Sequence, residues 1–222
     1  MRSKLCQINW HPSETLNNKN APIRATDFAP LGANASAVAA GSRLVATAAQ
    51  DGTVRMWRLC SEDAAASSAS SAAPAAGATG FRVDYIIDFE GHSMCVNAVR
   101  FSPNGECLAT GGDDGYVIVW YRTTRPLDPS MKPSTSWCDV TSAKQLQRVI
   151  MRGKLSEICD LAWTSDSKYV ITGSVDGTIG VWDVRNAKLC QQTKDHKGFV
   201  QGVATDPLGE YVATQCSSRT VR

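Results

Sequence analysis

The chain contains no apolar run approaching membrane-spanning length, and its start, Met1-Arg2-Ser3-Lys4-Leu5, lacks the apolar core of a signal peptide. The cytosol or nucleus is therefore the default location. An excess of charge of one sign is also missing: 23 Lys and Arg against 21 Asp and Glu leave +2, too little to argue attraction to DNA or an acidic membrane. The eight cysteines stand singly at 6, 60, 95, 107, 138, 159, 190 and 216, without the close pairs of a zinc site. Reduced thiols are expected, with Cys107 and Cys159 acting as small hydrophobes. Gly111-Gly112 precedes no helix, so it is no phosphate cradle. No cofactor or metal site is expected. Dispersed basic residues without interleaved aromatics give no support for sequence-specific nucleic-acid binding.

What the chain does contain is a register. An Asp in a turn is followed six residues later by a Trp three times, at Asp51–Trp57, Asp114–Trp120 and Asp176–Trp182. A Thr precedes each Asp by four residues, at Thr47, Thr110 and Thr172. A fourth copy opens at His196 and reaches Thr214, with Ser218 where the Asp belongs. Self-similarity at a fixed spacing marks a repeat architecture.

Within a unit, short runs rich in Val, Ile, Thr and aromatics alternate with turn chemistry. Val96 to Phe101 reads as an inner strand, Ser102-Pro103-Asn104-Gly105 as a turn, and Glu106 to Thr110 as a second strand. Asp114-Gly115 makes the next turn, Tyr116 to Trp120 the third strand, and Gln145 to Met151 the fourth. Four antiparallel strands per repeat form the blade of a β-propeller. The fold class is therefore all-β, a propeller of about seven blades when complete, represented here by about four. Blades are expected over 22–89, 92–151 and 155–192, with an incomplete one over 196–222. A strand at 5–10 is expected to close the ring. Such an open portion exposes strand edges and a blade face, and poor solubility of the segment alone is expected.

The Trp-to-Trp spacing exceeds the roughly 40–45 residues of a plain blade. The excess falls in two inserts, 61–80 and 121–144, expected to be disordered or irregular. The first is an Ala/Ser tract containing Pro74 and Gly77; the second is broken by Pro126, Pro129 and Pro133. Both follow a third strand, which puts them on the rim opposite the Asp turns.

His92, Thr110 and Asp114 resemble a nucleophilic triad, but Thr and Asp recur in three units and an enzyme needs one site. The physical reading is a buried hydrogen-bond chain from His through Thr and Asp to the Trp120 indole. Thr47, Asp51 and Trp57, and Thr172, Asp176 and Trp182, are its counterparts. Lys154 replaces the His in the third unit and Ser218 the Asp in the fourth, so both units should be locally less rigid. The chain is read as non-enzymatic. Its function then belongs to equivalent positions that vary between units. These are Cys95, Glu157 and Phe199, three residues after the His site, and Gln50, Asp113, Val175 and Ser217, one before the Asp site. All seven are expected near the inner part of the uncluttered rim, with Phe199 as the leading anchor.

Gly91-His92 and Trp182-Asp183 resemble the WD-repeat family. Val96-Asn97-Ala98-Val99-Arg100-Phe101-Ser102-Pro103 with Gly111-Gly112-Asp113-Asp114 is similar to the WD-repeat middle subunits of chromatin assembly factor 1. So are Phe199 to Val203, Asp206 to Thr214, and Cys6 to His11. Some of these motifs are shared with a sister family, the replication-independent histone regulators. The chain departs at Ala204-Thr205, where the family usually carries Thr-Trp, and at Ser217-Ser218, where an acidic residue is expected. The resemblance implies a nuclear, non-enzymatic subunit of a histone chaperone complex. It also implies large and small partner subunits, the tetramer-forming core histones as direct or indirect partners, and nucleosome assembly on replicated or repaired DNA. A generic WD-repeat scaffold is the alternative.

Overall fold

A computed structural model describes residues 21–30, 42–61, 81–122, 137, 140 and 146–222, with the backbone alone for Ser61 and Phe81. The described residues form fifteen strands, and none of them is in an α-helix. The expected strand at 5–10 and His11 lie outside the described residues, as do 62–80 and most of 123–145.

Four antiparallel sheets follow one another along the chain. The first contains β1 (Ile23–Phe28), β2 (Arg43–Ala49), β3 (Thr53–Ser61) and β4 (Phe81–Glu90). The second contains β5 (Val96–Phe101), β6 (Cys107–Gly112), β7 (Tyr116–Arg122) and β8 (Leu146–Arg152). The third contains β9 (Ile158–Trp163), β10 (Tyr169–Ser174), β11 (Ile179–Asp183) and β12 (Lys188–Thr193). The fourth has three strands, β13 (Val200–Thr205), β14 (Val212–Cys216) and β15 (Thr220–Val221). Strand order equals chain order in every sheet, as hairpin connections require. These are the blades of a propeller portion, packed inner strand to inner strand.

Three details differ from the sequence reading. Ser61 pairs with Phe81, and Tyr121 and Arg122 pair with Gln147 and Leu146, so both inserts begin later than expected. The inner strands do not alternate strictly: β5 is buried at Val96, Ala98, Val99 and Phe101 because sheets cover both of its faces. A β-bulge also recurs at the second residue of every inner strand, Arg24, Asn97, Cys159 and Gln201. A bulge turns its side chain out of the regular pleat. At Asn97 this sends the amide Nδ2 to Asp113 Oδ1 (2.6 Å) and to the Ile158 carbonyl of the next sheet (2.9 Å).

Apolar cores occupy the seams between sheets. Phe89, Val99, Leu108 and Trp120 lie in the first, and Ala109, Leu161, Trp163 and Trp182 in the second. The third is small: Ile171, Val200 and Val203. Trp137, which the sequence placed in an irregular insert, is fully buried in the first seam. Its indole N–H donates to the Gly105 carbonyl at 2.8 Å, its ring meets Phe89 and Phe101, and the Arg122 guanidinium lies over it.

Inner strands are also strapped by carboxylates. Asp27 accepts the Phe101 N–H (2.8 Å), and Asp160 accepts the Val203 N–H (3.0 Å) while pairing with Arg100 (2.9 Å). Burial raises the Asp27 carboxyl above its ordinary value, despite that N–H and the nearby Arg100.

Candidate interaction rim and its supporting network

The motif residues meet because of strand register. Thr110 faces Ile118 and Leu108 faces Trp120, so Thr110 and Trp120 lie diagonally on one face of the β6–β7 pair. The Trp120 indole N–H donates to Thr110 Oγ1 at 3.1 Å, and His92 Nε2 bonds the same oxygen at 2.8 Å. His92 Nδ1 lies 2.9 Å from Asp114 Oδ2. The order is thus Asp–His–Thr–Trp, with Asp114 at the far end rather than beside the indole. Asp114 also accepts the N–H groups of Ser93 and Tyr116, closing the turn.

Burial pushes the Asp114 carboxyl up. The His92 hydrogen bond and charge and the two N–H groups outweigh it, holding the group below its ordinary 3.8. A carboxyl depressed on folding contributes stability above its unfolded pKa and loses it as pH falls through the folded one. Asp114→Asn should therefore cost about 1.5–3 kcal/mol at neutral pH. The gap from wild type should narrow progressively below pH 3.8, in urea melts across that range. An equal gap at every pH would refute the charge assignment.

The other units keep the Trp–Thr bond where the motif is complete and alter the rest. Trp57 donates to Thr47 (2.8 Å) and Trp182 to Thr172 (3.0 Å). In the first unit buried Arg55 bridges Asp88 (3.0 Å) and Asp51 (3.8 Å). In the third, Lys154 is exposed and Leu155 takes the space. A Cβ on Gly180 would meet Leu155 Cδ1 at 2.9 Å, so the missing side chain at 180 admits the Leu. Asp176 there caps the Thr178 N–H (3.0 Å). In the fourth, His196 bonds Thr214 (2.8 Å), while Ser218 and Thr220 bond Cys216 at 2.8 and 3.1 Å. The Ser218 hydroxyl first, then Thr220, hold that thiol down at about 6.

The rim candidates fall into pairs across the first two strands of each sheet. Asp113 N–H donates to the Cys95 carbonyl, Val175 to Glu157, and Ser217 to Phe199, at 2.9, 3.0 and 2.9 Å. Gln50 donates to Pro22 at 3.0 Å. Gln50, Glu157, Phe199 and Ser217 are exposed, and Asp113 and Val175 half-buried. Cys95 is the exception. Only 7% exposed, its thiol faces Asn97 and is pushed up by burial, then by Asp113, so it is not a contact residue. The exposed Met94 beside it presents the apolar surface instead. The sequence reading also missed the bulge residues Arg24, Asn97, Cys159 and Gln201, which vary between units. Their signal was the broken apolar alternation of the inner strands.

The geometry offers hydrogen-bond networks and surfaces. Among the described residues no group of His, Cys, Asp and Glu is placed to hold a metal, and the cysteines are free.

The whole chain, residues 1–222, matches the family model described as CAF1B/HIR1 beta-propeller domain. It is 31% identical to the B subunit of chromatin assembly factor 1 of Gallus gallus, over 100% of this chain and 35% of that protein. With the Saccharomyces cerevisiae counterpart the identity is 28%, over 100% of this chain and 45% of the relative. With protein HIR1 of Yarrowia lipolytica it is 32%, over 83% of this chain and 18% of the relative. The chain thus spans less than half the length of these relatives.

Proposed function

Because the chain belongs to the CAF1B/HIR1 β-propeller family, we propose that it is part of a non-enzymatic, nuclear subunit of a histone chaperone complex. It serves as a protein-interaction platform that joins a large and a small partner subunit and, directly or through them, the tetramer-forming core histones. The complex assembles nucleosomes on newly replicated or repaired DNA. The observation that carries this reading is the end-to-end match to chromatin assembly factor 1 relatives, which embraces all four units. The repeated polar groups support a scaffold, because each is engaged in holding a unit together.

The proposed contact surface is the rim of Gln50, Asp113, Glu157, Val175, Phe199 and Ser217, with Phe199 as its anchor. Phe199 is 53% exposed on a backbone fixed by Ser217, which suits an interface anchor. The matched family also includes HIR1 proteins, which favours the replication-independent histone regulator as second reading.

The full-length protein captured from cells in DNA synthesis should co-elute with the large and small assembly subunits and core histones. Elution with the same partners outside DNA synthesis would favour the second reading. Recovery solely with a ubiquitin ligase or signalling complex would refute both.

A further inference from the structure

We propose that Ser218 is a phosphorylation site whose phosphate serves as the turn anion of the fourth unit, accepting the His196 ring N–H and fixing the entry loop of that sheet. The inference adds a regulatory modification to the scaffold reading. Only its bearing on Phe199 as an anchor rests on that reading.

Register identifies the position. Asp51, Asp114, Asp176 and Ser218 each stand four residues after the Thr of their unit. In the second unit Asp114 lies 2.9 Å from His92 Nδ1 and accepts the Ser93 N–H of the entry loop at 3.1 Å. The fourth unit keeps the histidine: His196, 3% exposed, bonds Thr214 Oγ1 through Nε2 at 2.8 Å. Among the described residues its Nδ1 reaches one group, the Thr220 hydroxyl, at 3.4 Å. That is a long contact for a hydrogen bond. A buried donor held so weakly favours a stronger acceptor within reach.

Ser218 is placed to carry that acceptor. Its Oγ lies 3.4 Å from the same Thr220 hydroxyl, as the Asp51 carboxylate lies 2.7 Å from the Thr53 hydroxyl in the first unit. The side chain thus points where the turn carboxylates point. A phosphate extends Oγ by two bonds, across the gap that Thr220 spans. Lys197, the counterpart of Ser93, brings the loop N–H to the same place, and a Cβ on Gly198 would stand 3.6 Å from Ser218 Cβ.

Exposure and charge favour this hydroxyl. The Asp114 side chain is 4% exposed, whereas Ser218 is exposed and flanked by the exposed cations Lys197 and Arg219. Ser217 is already committed, since its Oγ accepts the Phe199 N–H at 3.0 Å. A phosphate carries about −1.5 to −2 near neutral pH, more than a carboxylate, and opposite cations stabilise it. In the transfer, Ser218 Oγ attacks the γ-phosphorus of a nucleoside triphosphate held by a protein kinase. The bond from that phosphorus to the β–γ bridging oxygen breaks, the nucleoside diphosphate leaves, and the serine proton passes to the kinase base. The step removes the hydroxyl contact with Cys216 Sγ at 2.8 Å, while Thr220 stays on the sulfur at 3.1 Å. What it fixes is the 196–199 loop that ends in Phe199.

The test has two parts, both on the full-length protein. Phosphopeptide mapping of protein purified with phosphatase inhibitors from dividing and arrested cells should find phosphate on Ser218, absent in Ser218→Ala. Protein carrying phosphoserine installed at 218 should then show amide hydrogen exchange at 196–199 slowed at least about tenfold, the change one charge-assisted hydrogen bond supports. Residues 90–95 should be unchanged, and phosphatase should reverse the effect. Ser218→Asp should reproduce part of it, and His196→Gln should abolish it. Should His196→Gln not fold, Ser218→Asn decides, because it must fall short of Ser218→Asp. No phosphate on Ser218 in either cell state, phosphate on Ser217 or Thr220 instead, or a phosphoserine that leaves the loop's exchange unchanged would overturn the proposal. Neither readout needs a partner, so their failure is separable from failure of the scaffold reading.

Discussion

Trp137→Ala should lower stability by about 3–5 kcal/mol, the range for emptying a buried aromatic site, and the melting temperature by roughly 10 °C. The side chain is wholly buried between Phe89 of the first sheet and Phe101 of the second. Its loss leaves a void across the seam and deprives the Gly105 carbonyl of its donor. Trp137→Phe separates these effects: most of the ring packing survives while the carbonyl loses its partner, for about 1–3 kcal/mol. Denaturant titrations of both variants give the comparison. A loss under about 0.5 kcal/mol for the alanine, the scale of an ordinary surface change, would mean that the indole does not hold the seam.

Gly177→Ala should have the second-largest effect, about 2–3 kcal/mol, from two causes acting together. Gly177 has φ +85°, a left-handed conformation that costs a side chain about 1–2 kcal/mol. The loop entering the next sheet also crosses directly above it, with the His196 carbonyl where a Cβ would go. Gly52 and Gly115 occupy equivalent turns, with φ +81° and +71°, and carbonyls of Met94 and Leu155 at 3.0 and 2.9 Å from the added atom. Of the three, the clearance is least at 177, so alanine should be tolerated best at 52. Hydrogen exchange should accelerate in β13–β15 of Gly177→Ala while β5–β8 keep wild-type protection. Uniform acceleration would show that the defect does not stay at this joint. Gly177→Asn should recover part of the loss, since Asn tolerates left-handed backbone.

The two substitutions mark where the sequence was transparent and where it was not. Asp-Gly turns and Val/Ile-rich runs are local signals, so the four-sheet array, its order and the glycine turns could be read directly. Trp137 could not. A single aromatic in a proline-broken segment has no period, and its burial depends on Phe89 and Phe101, far away in sequence. The network shows a second limit. Repeated Thr and Asp signalled buried polar groups, but their order depends on which side chains lie diagonally across β6–β7. Compensation was hidden as well: the exchange of His for Lys154 looked like a loss, yet Leu155 fills the space that Gly180 leaves. At the rim, position alone suggested seven contacts, and only burial could remove Cys95.

The backward lean of the loops has a consequence for how the molecule is made. Carbonyls of the second sheet's entry loop cover Gly52, those of the third cover Gly115, and those of the fourth cover Gly177. Every sheet is also a contiguous stretch of chain, closed by its own hairpins. A ribosome releases such a chain from its N-terminal end, so each sheet meets a finished neighbour as it emerges and need not wait for residues still unmade. Assembly can proceed in the order of translation, one docking step at a time, because each strand pairs with its neighbour in the chain.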